Sequence, residues 1–245
     1  MDLLKRVIQP NGYVMTVIQL SLPVFLYIAI TGNAEWYWWL ATVVFYFLYL
    51  SVGNNVGLHR YFCHRNFKLS KPMEYFVVWC GAIGCLGSPP SYISVHTIHH
   101  VHVDTELDPH GPCRGWRSVL LCFHRHLGPD DIIVTKILRD AMQKYCWLQQ
   151  YYWCVVALNA TVMYLISWKV FIFCWAIPAS LTLWAVGFVL LMGHKGNQPS
   201  NTKSYQWFTW GEAWHKNHHD DASLINHAPK GKIDWTYQIC KILSK

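Results

Sequence analysis

The sequence predicts an all-α integral membrane protein: four transmembrane helices in two hairpins, with a helical inner-face cap holding a dinuclear metal site. Three observations predict it. Hydrophobic residues make up 53% of the 245 and charged residues only 13%, about half the charged share of an ordinary soluble domain. Four stretches of 18 to 24 residues carry no charge, the length a helix needs to cross the ~30 Å hydrocarbon core. Nine of the 14 histidines fall in four short groups at or near the ends of these stretches.

The four spans are residues 13–31, 36–53, 151–168 and 170–193. The first follows Lys5 and Arg6, is too long for a signal-peptide core and lacks a small-residue cleavage site, so it reads as a retained helix. Pro23 and Pro178 lie inside spans, where neighbouring helices re-satisfy the freed backbone groups, and both predict kinks. Tight turns at 32–35 and around Lys169 join the spans into hairpins. The run 76–87 holds only 12 residues, includes Gly81, Gly84 and Gly87, and precedes Pro89 and Pro90; it reads as re-entrant or interfacial.

With four spans, both termini and the segments 54–150 and 194–245 share one face. That face carries 19 of the 20 Lys and Arg, leaving Lys169 outside, as the positive-inside rule requires of a cytoplasmic side. The net charge of +7 therefore has an address. Trp36, Trp38, Trp39, Trp147, Trp153 and Trp168 gather at span ends, where amphipathic rings anchor at headgroup level. Residues 1–245 read as a single domain, too short to include a complete redox partner. The nine Cys form no CxxC pair and sit in spans or on the inner face, so reduced thiols are expected. No nucleotide-binding glycine motif or base-reading module occurs, which excludes nucleic acid as a partner.

The histidine groups are HRYFCH (His59, His64), HTIHH (His96, His99, His100), His194 at the exit of the last span, and HKNHH (His215, His218, His219). On an α-helix, positions i+3 and i+4 flank position i, so each triplet aims three imidazoles at one spot. The i+5 spacing of His59 and His64 puts their rings about 140° apart on an α-helix, so they are expected to serve different atoms or to straddle a bend. Neutral imidazole is the commonest metal side-chain ligand. Nine exceed the need of one ion and give two ions four or five each, which is a dinuclear site. A polytopic metal carrier would also gather histidines, but it would place polar or ionisable groups inside its spans, and all four spans here lack charge. His102, His110, His124, His126 and His227 read as solvated or as outer partners. Asp104, Glu106 and Asp108 follow the second group and Glu212 precedes the last. Each either orients an imidazole N–H or belongs to a solvated acidic turn. Imidazole alone suits zinc, copper, nickel and iron alike.

The set HRYFCH, HTIHH and HKNHH with paired hairpin spans resembles the membrane-bound fatty acid desaturases, in particular the stearoyl-CoA and acyl-lipid delta-9 group. The similarity runs from GLHRYFCHRNFKLSKPMEYF through GCLGSPPSY to HTIHHVHVDTELDPHGPCRGW, residues 57–116, and returns in WGEAWHKNHHDDAS and KIDWTYQI, about half the chain. The resemblance implies an all-His non-haem centre of two Fe ions. This centre would use O2 and two electrons to remove two hydrogens from adjacent methylenes, leaving a cis double bond and water. It implies His59, His64, His96, His99, His100, His194, His215, His218 and His219 as iron ligands, and an acyl-CoA or acyl-lipid substrate. A related di-iron hydroxylase, or a desaturase of other regiochemistry, would need the same ligands. With no haem-binding pattern and no cysteine cluster, electrons must come from a separate ferredoxin or b5-type cytochrome with its reductase. The chain departs from the family pattern at Thr97, where many relatives have Arg in HRxHH, and at Leu86 and Tyr92, where Gln and Trp are common beside the acyl tunnel. It departs also at Leu190, an Asn in animal relatives. The inner-face residues Arg60, Arg65, Arg114, Arg117 and Arg125 either meet a CoA phosphate or anionic headgroup, or set topology.

Overall fold

Apolar stretches parted by turn residues fold as helices. No strand forms among the described residues of the computed structural model, which are 12–122, 127–202 and 206–244. Lys5, Arg6, His124, Arg125 and His126 lie outside the described residues. The first apolar stretch is α1 (Gly12–Leu20) and α2 (Leu22–Thr31), parted at Ser21. The second is α3 (Trp36–Tyr46), which continues as a π-helix over Phe47–Cys63. Next come α4 (Lys71–Ile83) and α5 (Pro89–His102), each opened by a capping serine, Ser70 or Ser88, and a proline in the first turn. The short α6 (Trp116–Leu120), then α7 (Lys136–Gln150) and α8 (Tyr152–Ile166), lead to α9 (Trp168–Phe171). A second π-helical turn, Ile172–Ala176, joins α9 to α10 (Ile177–Gly193). The last elements are α11 (Gln206–Thr209), α12 (His215–Asp220) and α13 (Trp235–Leu243).

Three helical runs are long and apolar enough to cross a membrane: Gly12–Thr31, Trp36–Cys63 and Trp168–Gly193, of 20, 28 and 26 residues. The remaining expected span is α8, with 15 residues, about 22 Å long at 1.5 Å per residue and short of the ~30 Å core. The second hairpin also turns earlier than expected, at Ser167 rather than around Lys169. Ser167 is extended and its hydroxyl accepts from the Lys169 N–H at 3.2 Å. A serine N-cap satisfies an amide that a helix start otherwise leaves unpaired, so Trp168 and Lys169 fall in the first turn of α9. Pro23 and Pro178 sit in the first turns of α2 and α10, each just beyond an interruption of the α-helical ladder.

The two turns stand side by side. Lys169 Nζ donates to Glu35 Oε2 at 2.6 Å, and a Cβ on Gly32 would lie 2.5 Å from the Trp168 ring. At the other end, α4 lies against the π-helix backbone to backbone: a Cβ on Gly53 would meet the Gly81 nitrogen at 2.5 Å. At 13 residues α4 stays below spanning length, in keeping with the expectation for 76–87. Buried Glu74 of α4 accepts from Tyr61 Oη at 2.9 Å and from Tyr145 Oη and Lys144 Nζ at 2.5 Å each, fastening the π-helix, α4 and α7 together. All nine cysteines are free.

Candidate metal centre

Four elements bring the histidines together. The last two turns of α5 carry His96, His99 and His100, α12 carries His215, His218 and His219, and His194 is the C-cap of α10. His59 lies in the last turn of the π-helix and His64 is its C-cap, so the expectation that the two serve different atoms or straddle a bend gives way to a change of helix type. An i→i+5 hydrogen bond brings the fifth residue back over the first; here the His64 N–H donates to the His59 carbonyl at 3.2 Å. Both rings then face one place.

The nine form two groups, each with ring nitrogens within 4.8 Å of one another: His59, His64, His96, His100 and His218 in one, His99, His194, His215 and His219 in the other. Their Nε2 atoms converge. In the first group the pairs 59–218, 64–96, 96–100 and 100–218 stand at 2.8 to 3.0 Å. In the second, the pairs 99–219, 194–215 and 215–219 stand at 2.8 to 3.2 Å. Nitrogens bound to one ion at about 2.0–2.1 Å and at right angles are about 3 Å apart. The spacing fits two metal ions, with five and four imidazoles.

Carboxylates behind the rings fix the tautomers. Asp108 Oδ2 is 2.9 Å from His99 Nδ1 and Asp104 Oδ2 is 3.0 Å from His194 Nδ1. An Nδ1–H held by a carboxylate leaves the Nε2 lone pair facing the centre. Asp108 is itself fixed by the backbone N–H groups of Asp104 and His110, each at 3.0 Å. Glu212 Oε2 lies 3.6 Å from His59 Nδ1, and although burial alone would raise it, His59 and Arg60 hold its carboxyl below the usual range. Glu106 is exposed at the same turn. Of the acidic residues in question, Asp104 and Asp108 are placed to orient imidazoles, Glu212 faces His59 at ion-pair distance, and Glu106 belongs to a solvated turn.

Burial, reinforced by neighbouring imidazoles, drives His64, His96, His99, His215, His218 and His219 far below the ordinary histidine range, and His100 to about 4. Neutral imidazole is the metal-binding form.

Two histidines read from the sequence as solvated or as outer partners, His110 and His227, lie buried beside the centre. His110 is buried, its ring centroid 4.4 Å from that of His99, and with His99 and Asp108 it makes a further close set of donors. His227 is buried against His218, centroids 4.8 Å apart. The only hint was their nearness to the boxes. His102 stays outside both groups, half-buried at the end of α5. Arg60 is not available to a phosphate or headgroup: it is fully buried, pairs with Asp234 at 2.9 Å and donates to the Ile225 carbonyl. Its position one residue after His59, inside a helix packed on all sides, is what takes it out of solvent. Arg65, Arg114 and Arg117 are exposed, Arg117 lying over the Trp116 ring.

A cleft reaches histidines of both groups: His59 and His96 of the first, His99 and His215 of the second. Its other walls are largely apolar, with Leu86 and Tyr92 on one side and Val186, Val189 and Leu190 of α10 on the other. Met15 and Cys122 also line it. A second, separate opening touches only the first group, through His64, His96 and His100, and Thr97 lies on its wall.

These features define a helical membrane protein whose paired histidine site is suited to two metal ions and meets an apolar cleft. Residues 13–227 match the family model for fatty acid desaturases, and the chain belongs to that family. It is 28% identical over 236 residues to the sn-1 stearoyl-lipid 9-desaturase of Anabaena variabilis, covering 89% of this chain and 85% of that one. It is 34% identical over 212 residues to the acyl-CoA C20 Delta5-desaturase of Anemone leveillei, covering 78% and 66%. It is 30% identical over 213 residues to Delta-9 acyl-lipid desaturase 1 of Arabidopsis thaliana, covering 78% and 68%.

Proposed function

We propose that the protein uses O2 and two electrons to introduce a cis double bond, at the delta-9 position, into a saturated acyl chain carried on CoA or on a lipid. The observation that carries this reading is the apolar cleft ending on histidines of both groups: a methylene chain laid in it has a carbon beside both centres. Two iron ions held by the nine histidines would supply the oxidising power, because an unactivated methylene offers neither an acidic proton nor an electrophile to side-chain chemistry. The chain's own residues do the rest. Leu86, Tyr92, Val186, Val189 and Leu190 exclude water and hold the acyl chain; Asp104, Asp108 and Glu212 keep His194, His99 and His59 aimed inward.

The delta-9 position is supported by the names of the Anabaena and Arabidopsis relatives, while the Anemone relative is named for carbon 5. A separate ferredoxin or b5-type cytochrome delivers the electrons. We infer four crossings, α8 being the third, with the histidine face cytoplasmic. The Lys169–Glu35 contact between the two turns and the 19 Lys and Arg away from them support this. Expression in a host without its own desaturase, with the fatty acids profiled and the double bond located chemically, tests the proposal. A monounsaturated chain with the bond at carbon 9 is expected. A hydroxy acid, or a bond elsewhere, would replace the regiochemical reading, and no new fatty acid from protein holding two irons would overturn it.

A further inference from the structure

Asn54, His59 and His64 recur at every fifth position of the π-helix, and i→i+5 bonding stacks such positions on one face. Two of them belong to the first histidine group. Asn54, only 6% exposed, lines the apolar cleft beside His59, His96 and Glu212. A chain of hydrogen bonds sets the orientation of its carboxamide. Asn55 Nδ2 donates to the Thr209 carbonyl at 2.9 Å, which leaves Asn55 Oδ1 as the acceptor for Asn54 Nδ2, also at 2.9 Å. Exchanging nitrogen and oxygen in Asn54 would set two acceptors face to face. Asn54 Oδ1 remains buried with no protein donor.

A buried acceptor without a donor is destabilising, so this atom calls for an O–H or N–H from the cleft. Leu190, on the α10 wall of the same cleft, brings none, and the methylenes of an acyl chain bring none. A water molecule does. We propose that Asn54 is a positioning residue whose Oδ1 accepts a hydrogen bond from a water held where the cleft meets the histidine centre. The proposal rests on reading the two histidine groups as a metal centre. By orienting that water, Asn54 sets how an open metal position is filled before substrate arrives.

The test uses the whole protein in detergent, loaded with cobalt(II) in place of iron, and compares wild type with Asn54→Leu and Asn54→Asp. The readouts are the visible ligand-field spectrum and the affinity for azide, which competes with water for an open position. Asn54→Leu removes the acceptor and is expected to shift the visible bands and change azide affinity by about tenfold, the effect typical of partners just outside a metal's ligands. Asn54→Asp keeps an acceptor toward the cleft, but it adds a charge beside the centre and turns a second acceptor on Asn55 Oδ1, so a spectrum distinct from both wild type and Asn54→Leu is expected. If Asn54→Leu does not fold, Asn54→Ala makes the same comparison. A leucine or alanine variant indistinguishable from wild type would overturn the proposal. So would an aspartate variant that behaves like leucine, because the tie to Asn55 would then be what matters. Wild type that takes up no cobalt would overturn the reading of the centre itself, a result distinct from either of these.

Discussion

The guanidinium of Arg60 meets the carboxylate of Asp234 at 2.9 Å, with neither side chain exposed to solvent. Arg60 follows His59 directly, and Asp234 also accepts from the His227 N–H and from the Tyr237 N–H at the start of α13, each at 3.0 Å. The pair therefore ties the histidine-bearing π-helix to the C-terminal segment that packs beside HKNHH. Removing one member of a buried pair strands the other charge at a cost of about 3–5 kcal/mol. Asp234→Ala is expected to lose that much in chemical denaturation, and Asp234→Asn less, because an amide keeps an acceptor for the helix cap. Equal stability of Asp234→Ala and wild type would refute this account of the pair.

The carboxylates behind the histidines make a sharper contrast. Asp108→Asn leaves the volume unchanged but weakens the hold on His99 Nδ1, and Asp104→Asn does the same at His194. Loss of such a partner typically lowers metal affinity or activity 10–100-fold, measurable by chelator competition and product formation. Glu106→Gln, on the exposed side of the same turn, is expected to leave both unchanged. His99→Ala removes a nitrogen from the second group outright and is expected to abolish product.

How far the sequence foretold this arrangement depends on which regularity was at work. The two HxxHH groups were legible because α-helical spacing aims positions i, i+3 and i+4 at one spot, and α5 and α12 are α-helices. His59 and His64 were misread because no residue type marks a π-helix, and the α-helical angle sends them apart. The burial of Arg60 was invisible for another reason: its partner Asp234 is 174 residues away, and a charge beside a span looks the same in sequence whether it faces water or a carboxylate. Likewise the turn at Ser167 hung on one capping hydroxyl, which hydrophobicity over 151–193 does not register. Asp104 and Asp108 stood in the right place in the sequence, but only the fold of their turn separates them from Glu106.

The buried imidazoles give the metal-free protein a directional pH dependence. Burial holds His100 at about 4 and His227 at about 3, and pushes the other six shifted members of the two groups well below the ordinary histidine range. In the unfolded chain they titrate near 6.5. Below that pH the unfolded state binds more protons than the folded state, so folding stability from these groups is present above about 6.5 and drains away as pH falls toward 4 and below. Chelator-treated protein is therefore expected to melt progressively lower from pH 7 to pH 5 and to change little from pH 7.5 to 8.5 on account of these residues. Metal occupancy should fall over the same acid window, because protons and ions compete for Nε2. A melting temperature that stays constant from pH 7 to pH 5 would contradict the buried, neutral state of the imidazoles.

The π-helix carries Asn54, His59 and His64, and its position depends on an approach that only glycine permits. A Cβ on Gly53 would stand 2.5 Å from the Gly81 nitrogen and 2.7 Å from the Cys80 carbonyl carbon, backbone atoms that no rotamer change can move aside. Overpacking of this kind costs about 1–3 kcal/mol, and the relief available is for the π-helix and α4 to separate. Because α4 is also pinned to Tyr61 and to α7 through Glu74, separation would displace His59 and His64 from the other members of their group. Gly53→Ala is accordingly expected to lower both the melting temperature and the metal content, the latter more than the stability loss alone explains. Gly128→Ala is the matching control, since a Cβ there meets only the Asp131 carboxylate at an ordinary 3.6 Å. Measured by metal analysis of folded, gel-filtered protein, full occupancy in Gly53→Ala would show that the close contact with α4 does not set the geometry of the histidine groups.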